Sequence, residues 1–172
     1  MKHNYRIEKD EIMIRPVEEK DIEMIRNWRN IDSIRMSFLS QTIISAPQQK
    51  LWFEKYCNND SDIMFIIEYH NLPVGTVALY NIDYHEKRAE FGRLMIGEMS
   101  ARGKKIGEKV TSFLCEYAMS HLQLDKIVLE VYEDNIHAKV AYEAVGFKTI
   151  KYLSNNGRNV LLMEKARIEK NE

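Results

Sequence analysis

Two short strings carry most of the residues in this 172-residue chain whose types and spacing suit chemistry. The first is Arg102-Gly103-Lys104-Lys105-Ile106-Gly107. It stands just ahead of a run with Val110, Phe113, Leu114, Tyr117 and Ala118 on one face, which reads as an amphipathic helix over 106–122. The first-turn amides of such a helix lack intrahelical acceptors. The helix dipole adds about half a positive charge there, and glycine allows close approach to the backbone. The chemistry is therefore anion binding, with phosphate the natural ligand. The Walker and dinucleotide patterns are absent. The plain alternative is a basic helix start facing solvent.

The second string is Asn135-Ile136-His137-Ala138-Lys139-Val140-Ala141-Tyr142-Glu143-Ala144-Val145-Gly146-Phe147. Asn135 is a good N-cap and Gly146 a good stop, which predicts a helix over 135–144. Ala138 and Tyr142 share a face. A phenol with a pKa of about 10 is matched to protonating a departing thiolate. The plain alternative for Tyr142 is a half-buried core aromatic.

Lys plus Arg number 25 and Asp plus Glu 26, for a net charge of -1, so no bulk field draws the chain to nucleic acid or anionic membrane. A composition of 45% hydrophobic and 30% charged residues is globular, and the length suits one domain. Cys57 and Cys115 form no metal or disulfide pattern, and both are expected to be buried thiols. The polar first ten residues are not a signal peptide, and no apolar run reaches membrane length, so a cytoplasmic location is expected. Strands are predicted over 12–16, 62–69, 74–80, 89–96, 126–132, 148–153 and 159–165. Helices are predicted over 18–30, from Ser45 or Ala46 onward, over 106–122 and over 135–144. This order argues for one α/β domain over 12–165. A flexible segment over 1–11 and a charged tail over 166–172 would flank it.

The two strings, in this order and about 30 residues apart, resemble the motifs of the GNAT superfamily of acetyl-CoA-dependent N-acetyltransferases. Arg102 and Gly107 match its pyrophosphate loop, with Lys105 where the family has a middle glycine. Asn135, Ala138, Tyr142, Glu143, Gly146 and Phe147 match its late motif. The resemblance implies a GNAT fold: a central mixed, mostly antiparallel sheet of about seven strands flanked by about four helices. It implies acetyl-CoA as co-substrate and no metal. The backbone at Leu94, Met95 and Ile96 would pair with the pantetheine amides. Arg102, Gly103, Lys104, Lys105, Ile106 and Gly107 would hold the pyrophosphate. Asn135 would contact the cofactor arm, and Tyr142 would stand near the sulfur as acid.

An alkyl ammonium must lose a proton before it attacks a thioester. Glu90 is the expected base, with Glu130 and His85 as rivals. In the N-terminal half Trp28, Arg29 and Arg35 suit a phosphate and a stacked ring, although a surface helix with Trp28 in the core explains them as well. His85 is a further expected substrate contact. This half looks like the branch that acetylates nucleotide-linked amino sugars, which commonly has a histidine near the place of Gln49. The alternatives are a protein N-terminus or a polyamine as acceptor, or a silent CoA-binding module. A homodimer is the expected assembly. Near-neutral charge argues against nucleic acid as a partner.

Overall fold

The computed structural model describes residues 3–168. They form one eight-stranded sheet in the order β1-β2-β3-β4-β5-β6-β8-β7. The strands are β1 (Ile7–Lys9), β2 (Ile12–Pro16), β3 (Ile63–Tyr69), β4 (Leu72–Asp83), β5 (Arg88–Ile96), β6 (Lys126–Tyr132), β7 (Lys148–Asn155) and β8 (Arg158–Ala166). The helices are α1 (Ile22–Asn30), α2 (Asp32–Arg35), α3 (Ala46–Cys57), α4 (Ile106–Ser120) and α5 (Ile136–Val145). Among the described residues, no helix is long and apolar enough to cross a membrane.

Local chemistry explains most boundaries. His70 and Asn71 both have positive φ, 51° and 64°, so β3 and β4 close through a two-residue turn. Leu72 and Pro73, expected in the turn, therefore belong to β4, and Pro73 sits at a register shift where its missing N–H is tolerated. Asn156 and Gly157, at φ 50° and 81°, close β7 and β8 in the same way. Ser45 and Gln48 form a reciprocal capping box that starts α3.

Each face of the sheet has its own core. Phe65, Val77, Leu79, Phe91, Ile127 and Leu161 pack with Val110, Phe113 and Leu114 of α4. On the other face Met64, Ile66, Ala78 and Met95 pack with Ile25 and Trp28 of α1 and Tyr56 of α3. The alternating side chains of a strand serve the two cores in turn.

The structure departs from the sequence reading at several places. The sheet has eight strands and the described residues five α-helices, one more of each than the approximate numbers expected for this fold, which is otherwise as expected. The extra strand, Ile7–Lys9, lies in the segment expected to be flexible and pairs with β2 through the Asp10 turn. Three residues are too few to show an alternation pattern. The extra helix, α2, is a single turn with the same limitation. The helix expected over 18–30 begins at Ile22, because Asp21 is buried and accepts two hydrogen bonds from Arg15, at 2.7 and 3.0 Å. Cys115 is buried as expected, but Cys57 is exposed at the end of α3. The last strand runs to Ala166, and residues 169–172 of the expected tail lie outside the described residues.

Candidate active site: an opening between two parallel strands

β5 and β6 are the sheet's parallel pair, and they stay together only over Arg88–Lys126, Ala89–Ile127 and Glu90–Val128. Beyond Glu90 the strands separate. Among the described residues the β6-side edge of β5 from Phe91 to Ile96 has no strand partner, which leaves backbone groups there, the Ile96 carbonyl held by Arg102 aside, for a ligand to pair with. A cleft of about 390 Å³ occupies the gap, walled by Glu90, Phe91, Gly92, Arg93 and Leu94 of β5 and by Glu130, Val131 and Tyr132 of β6. Asn135, the N-cap of α5, lies on the same wall.

A bulge in β5 sets which side chains enter. Opposite β4 the register shifts between Thr76 and Ala78, and Arg93 has a positive φ of 50°. The carbonyl of Arg93 accepts from Thr76 Oγ1 at 2.7 Å. Because of the extra residue, Leu94 packs with the α4 core while Met95 packs with the α1 core. Arg93 forms a bidentate pair with Asp62, at 2.7 and 2.8 Å. Its guanidinium stands 4.7 Å from the Tyr80 ring and 5.8 Å from the Trp52 ring. Gly92 keeps room for Tyr80, since a Cβ there would lie 2.8 Å from the Tyr80 hydroxyl oxygen.

At the far end of β5 the chain turns through Met99–Ala101 into the basic loop. Gly103 has φ 76° with open space around it, and Lys105, the N-cap of α4, is left-handed at φ 57° and gives no side-chain cap. The first intrahelical bond is Lys109 N–H to Lys105 C=O. The first-turn amides of α4 are thus turned outward and uncapped. A Cβ on Gly107 would meet Leu94 Cδ2 at an ordinary 3.6 Å, which places this turn beside the open edge of β5. Arg102 Nε donates to Ile96 C=O at 3.1 Å, and Lys104 Nζ lies 5.0 Å from the Tyr69 ring. The cradle is therefore mainly backbone, with its cations fanned around it.

Glu90 sits where β5 and β6 part, held by Asn81 Nδ2 at 3.0 Å, and Glu130 shares its cleft. Tyr80, opposite Glu90 in the β4 register, also lines this cleft. Its phenol is pushed up by burial first and then by the Glu90 charge. Tyr142 is half-buried against the α4 core, lining neither cavity, edge-on to Phe91 of the cleft wall at 6.0 Å and 79°. Burial raises its phenol well above the ordinary value, so it stays protonated at any working pH.

A second cavity, of about 460 Å³, opens on the α1–α3 face. Ile25, Ile43, Trp52, Met64 and Met95 give it an apolar wall, and Arg29, Phe38, Ser40 and Arg93 line both cavities. Of the residues gathered here, Arg29 is among those expected from the sequence, and Phe38, Trp52, Tyr80, Asp62 and Arg93 are not. A stack of rings and one bidentate pair between β5 and the turn before β3 has no short-range pattern. Three of the expected substrate contacts lie outside both cavities. Trp28 is 5% exposed, donates to Glu98 at 3.0 Å and lines neither cavity. His85 is exposed in the β4–β5 turn, bonded to Glu86, and also lines neither. Arg35 stands behind Arg29, tied to Asp32 and Gln41 C=O, and outside both walls.

Residues 11–148 match the model of the acetyltransferase (GNAT) domain family. The chain is 27% identical over 169 residues to an N-acetyltransferase 9-like protein of Caenorhabditis briggsae, covering 90% of this chain and 83% of that one. It is 27% identical over 139 residues to a spermidine N(1)-acetyltransferase of Vibrio cholerae, covering 80% and 79%. Its fold matches the crystal structure of a Vibrio cholerae spermidine N-acetyltransferase in complex with CoA and spermine. The TM-score is 0.84 at 24% identity, over 92% of this chain and 96% of that one. These relatives lend no support to the expected nucleotide-linked amino sugar. With a parted β5–β6 pair, an uncapped α4 start and a family match over most of its length, the chain belongs to the GNAT acetyltransferase family.

Proposed function

We propose that the chain moves the acetyl group of acetyl-CoA to a primary amine by direct attack in a ternary complex. The observation that carries this reading is the opening itself. An outward-turned helix start lies at one end of the free β5 edge and two carboxylates, Glu90 and Glu130, at the other. The diphosphate would lie on the first-turn amides of α4, and the pantetheine amides would pair with β5 at Leu94, Met95 and Ile96. The acetyl carbonyl would then end near Glu90.

Glu90, directly or through one water, takes a proton from the acceptor ammonium. The freed nitrogen attacks the thioester carbon, forming the C–N bond and an oxyanion. That intermediate collapses by breaking the C–S bond, and Tyr142 protonates the departing sulfur. The new amide nitrogen sheds its remaining extra proton to solvent, Tyr142 is reprotonated from solvent, and Glu90 releases to solvent the proton it took. The sum is ammonium plus acetyl-CoA giving amide, CoA thiol and one proton. Direct attack fits the cysteines, since neither Cys57 nor Cys115 lines either cavity. Spermidine belongs among the first acceptors to test, because a relative is named for it.

The test is CoA release, followed with a thiol reagent, across a panel of primary amines that includes spermidine. Tyr142→Phe is expected to lower kcat about 10- to 100-fold. Acetyl-CoA affinity by calorimetry should stay within about threefold, because the cradle is backbone. Unchanged turnover would remove the acid role of Tyr142. Absence of acetyl-CoA binding at millimolar concentration would remove the whole reading.

A further inference from the structure

The cavity on the α1–α3 face has no Asp or Glu in its wall, although it adjoins a cleft that has two. Its two cations differ. Arg93 is neutralised by its bidentate pair with Asp62. Arg29 is not: among the described residues no carboxylate comes within ion-pair distance of it. Glu23 and Asp32, on α1 and α2, are held by Arg26 and Arg35, and Glu98 by Trp28, while Glu90 and Glu130 share the β5–β6 cleft that Arg29 also lines without pairing with either. Arg29 Nη2 donates to Ser40 C=O, its carbon lies 4.0 Å from the Phe38 ring centre, and its Nη1 is buried without an acceptor. A half-buried cation left unpaired in an apolar wall is a costly arrangement unless something supplies the missing charge. Arg35 adds a second positive charge behind it, and burial together with that charge depresses the Arg29 pKa.

A polyamine would bring further ammonium groups into a wall that already has unpaired positive charge. An anion would relieve it. We propose that Arg29 anchors an anionic group of the acceptor, so that this chain acetylates amines that carry a carboxylate or a phosphate on an apolar body. The apolar body would lie against Ile25, Ile43 and Trp52, the anion on the guanidinium fork, and the amine toward Glu90. The fork matches either anion in a bidentate way, which a lysine cannot reproduce. This inference rests on the reading that an amine is the acceptor.

The experiment compares four acceptors of matched length: hexylamine, aminohexanoate, aminohexyl phosphate and spermidine. At least one anionic amine should exceed both hexylamine and spermidine in kcat/KM by tenfold or more, and which one does so separates carboxylate from phosphate. Arg29→Gln should abolish that preference and Arg29→Lys should keep part of it, with thermal melts confirming that both variants fold. Spermidine or hexylamine turning over as well as the anionic amines would overturn the proposal, as would a preference that survives Arg29→Gln. If no amine is acetylated while acetyl-CoA still binds, it is the amine reading that fails. The anchor is then read directly by titrating hexanoate and hexyl phosphate against tryptophan fluorescence. Saturable binding that weakens tenfold or more in Arg29→Gln sustains the anchor, and no binding of either anion overturns it.

Discussion

On the α4–α5 side of the β5–β6 opening, the groups offered to a ligand are backbone: the free edge of Phe91 to Ile96 and the first amides of α4. On the α1–α3 side they are side chains: Arg29, Phe38, Trp52 and the Asp62–Arg93 pair. The first side is generic. It accepts Lys105 in place of a glycine, because a left-handed N-cap can be reached, at a cost of about 1 kcal/mol, by a residue with a Cβ. The second side cannot change a residue without changing what it recognises. Backbone recognition serves the ligand that a whole family shares, and side-chain recognition serves the ligand that one member selects.

The joint between the two sides is the most sensitive place to test this. Gly97, at the end of β5, lies against Trp28 of α1, and a Cβ there would come within 2.1 Å of the indole. Gly97→Ala is expected to destabilise the fold by about 3 kcal/mol, read from urea denaturation. A loss under about 1 kcal/mol would mean that α1 moves freely against the sheet and that the two sides are not rigidly joined. Next in size, Glu90→Gln should lower kcat/KM for the amine about 100-fold while leaving acetyl-CoA affinity within about threefold. An equal loss of acetyl-CoA affinity would show that the two sides do not separate in function.

The smallest expected effect distinguishes the two cores by pH. Burial pushes Tyr142 well up and Cys115 up to about 12 on the α4–α5 side, and raises Tyr56 to about 12 on the other. Each group holds its proton more tightly folded than unfolded. The stability it contributes is full below its unfolded pKa, roughly 8.5 for Cys and 10 for Tyr, and is lost as pH rises toward the folded value. The urea midpoint should therefore fall progressively above about pH 9. Tyr142→Phe should flatten the decline above about pH 10, and an unaltered slope would show that its phenol titrates normally.

The part of this molecule that was legible in the sequence was the part that repeats or is capped. Lys126–Tyr132 carries Ile127, Leu129 and Val131 at every second position, and the strand read from them has the same bounds as β6. Asn135 and Gly146 bracket α5 with an N-cap bond and a left-handed stop, and both were read from residue type. The cradle was visible because cations and glycines cluster next to a helical period. The Arg93 cluster was not, because Asp62, Trp52, Tyr80 and Arg93 are brought together from α3, β4, β5 and the turn before β3 by sheet pairing. Trp28 stays ambiguous in the sequence, where a tryptophan beside arginines reads as a platform or as core, because the glycine that makes room for it stands 69 positions later.

The stretch between α2 and α3 has no regular structure, and side chains from elsewhere hold its carbonyl groups. Arg158 holds Met36, Asn155 holds Leu39, Arg29 holds Ser40, Arg35 holds Gln41 and Asn30 holds Ile44. Each such tether contributes on the order of 1 kcal/mol and can be exchanged singly. A lineage could therefore reshape this margin step by step while the β5–β6 opening goes untouched.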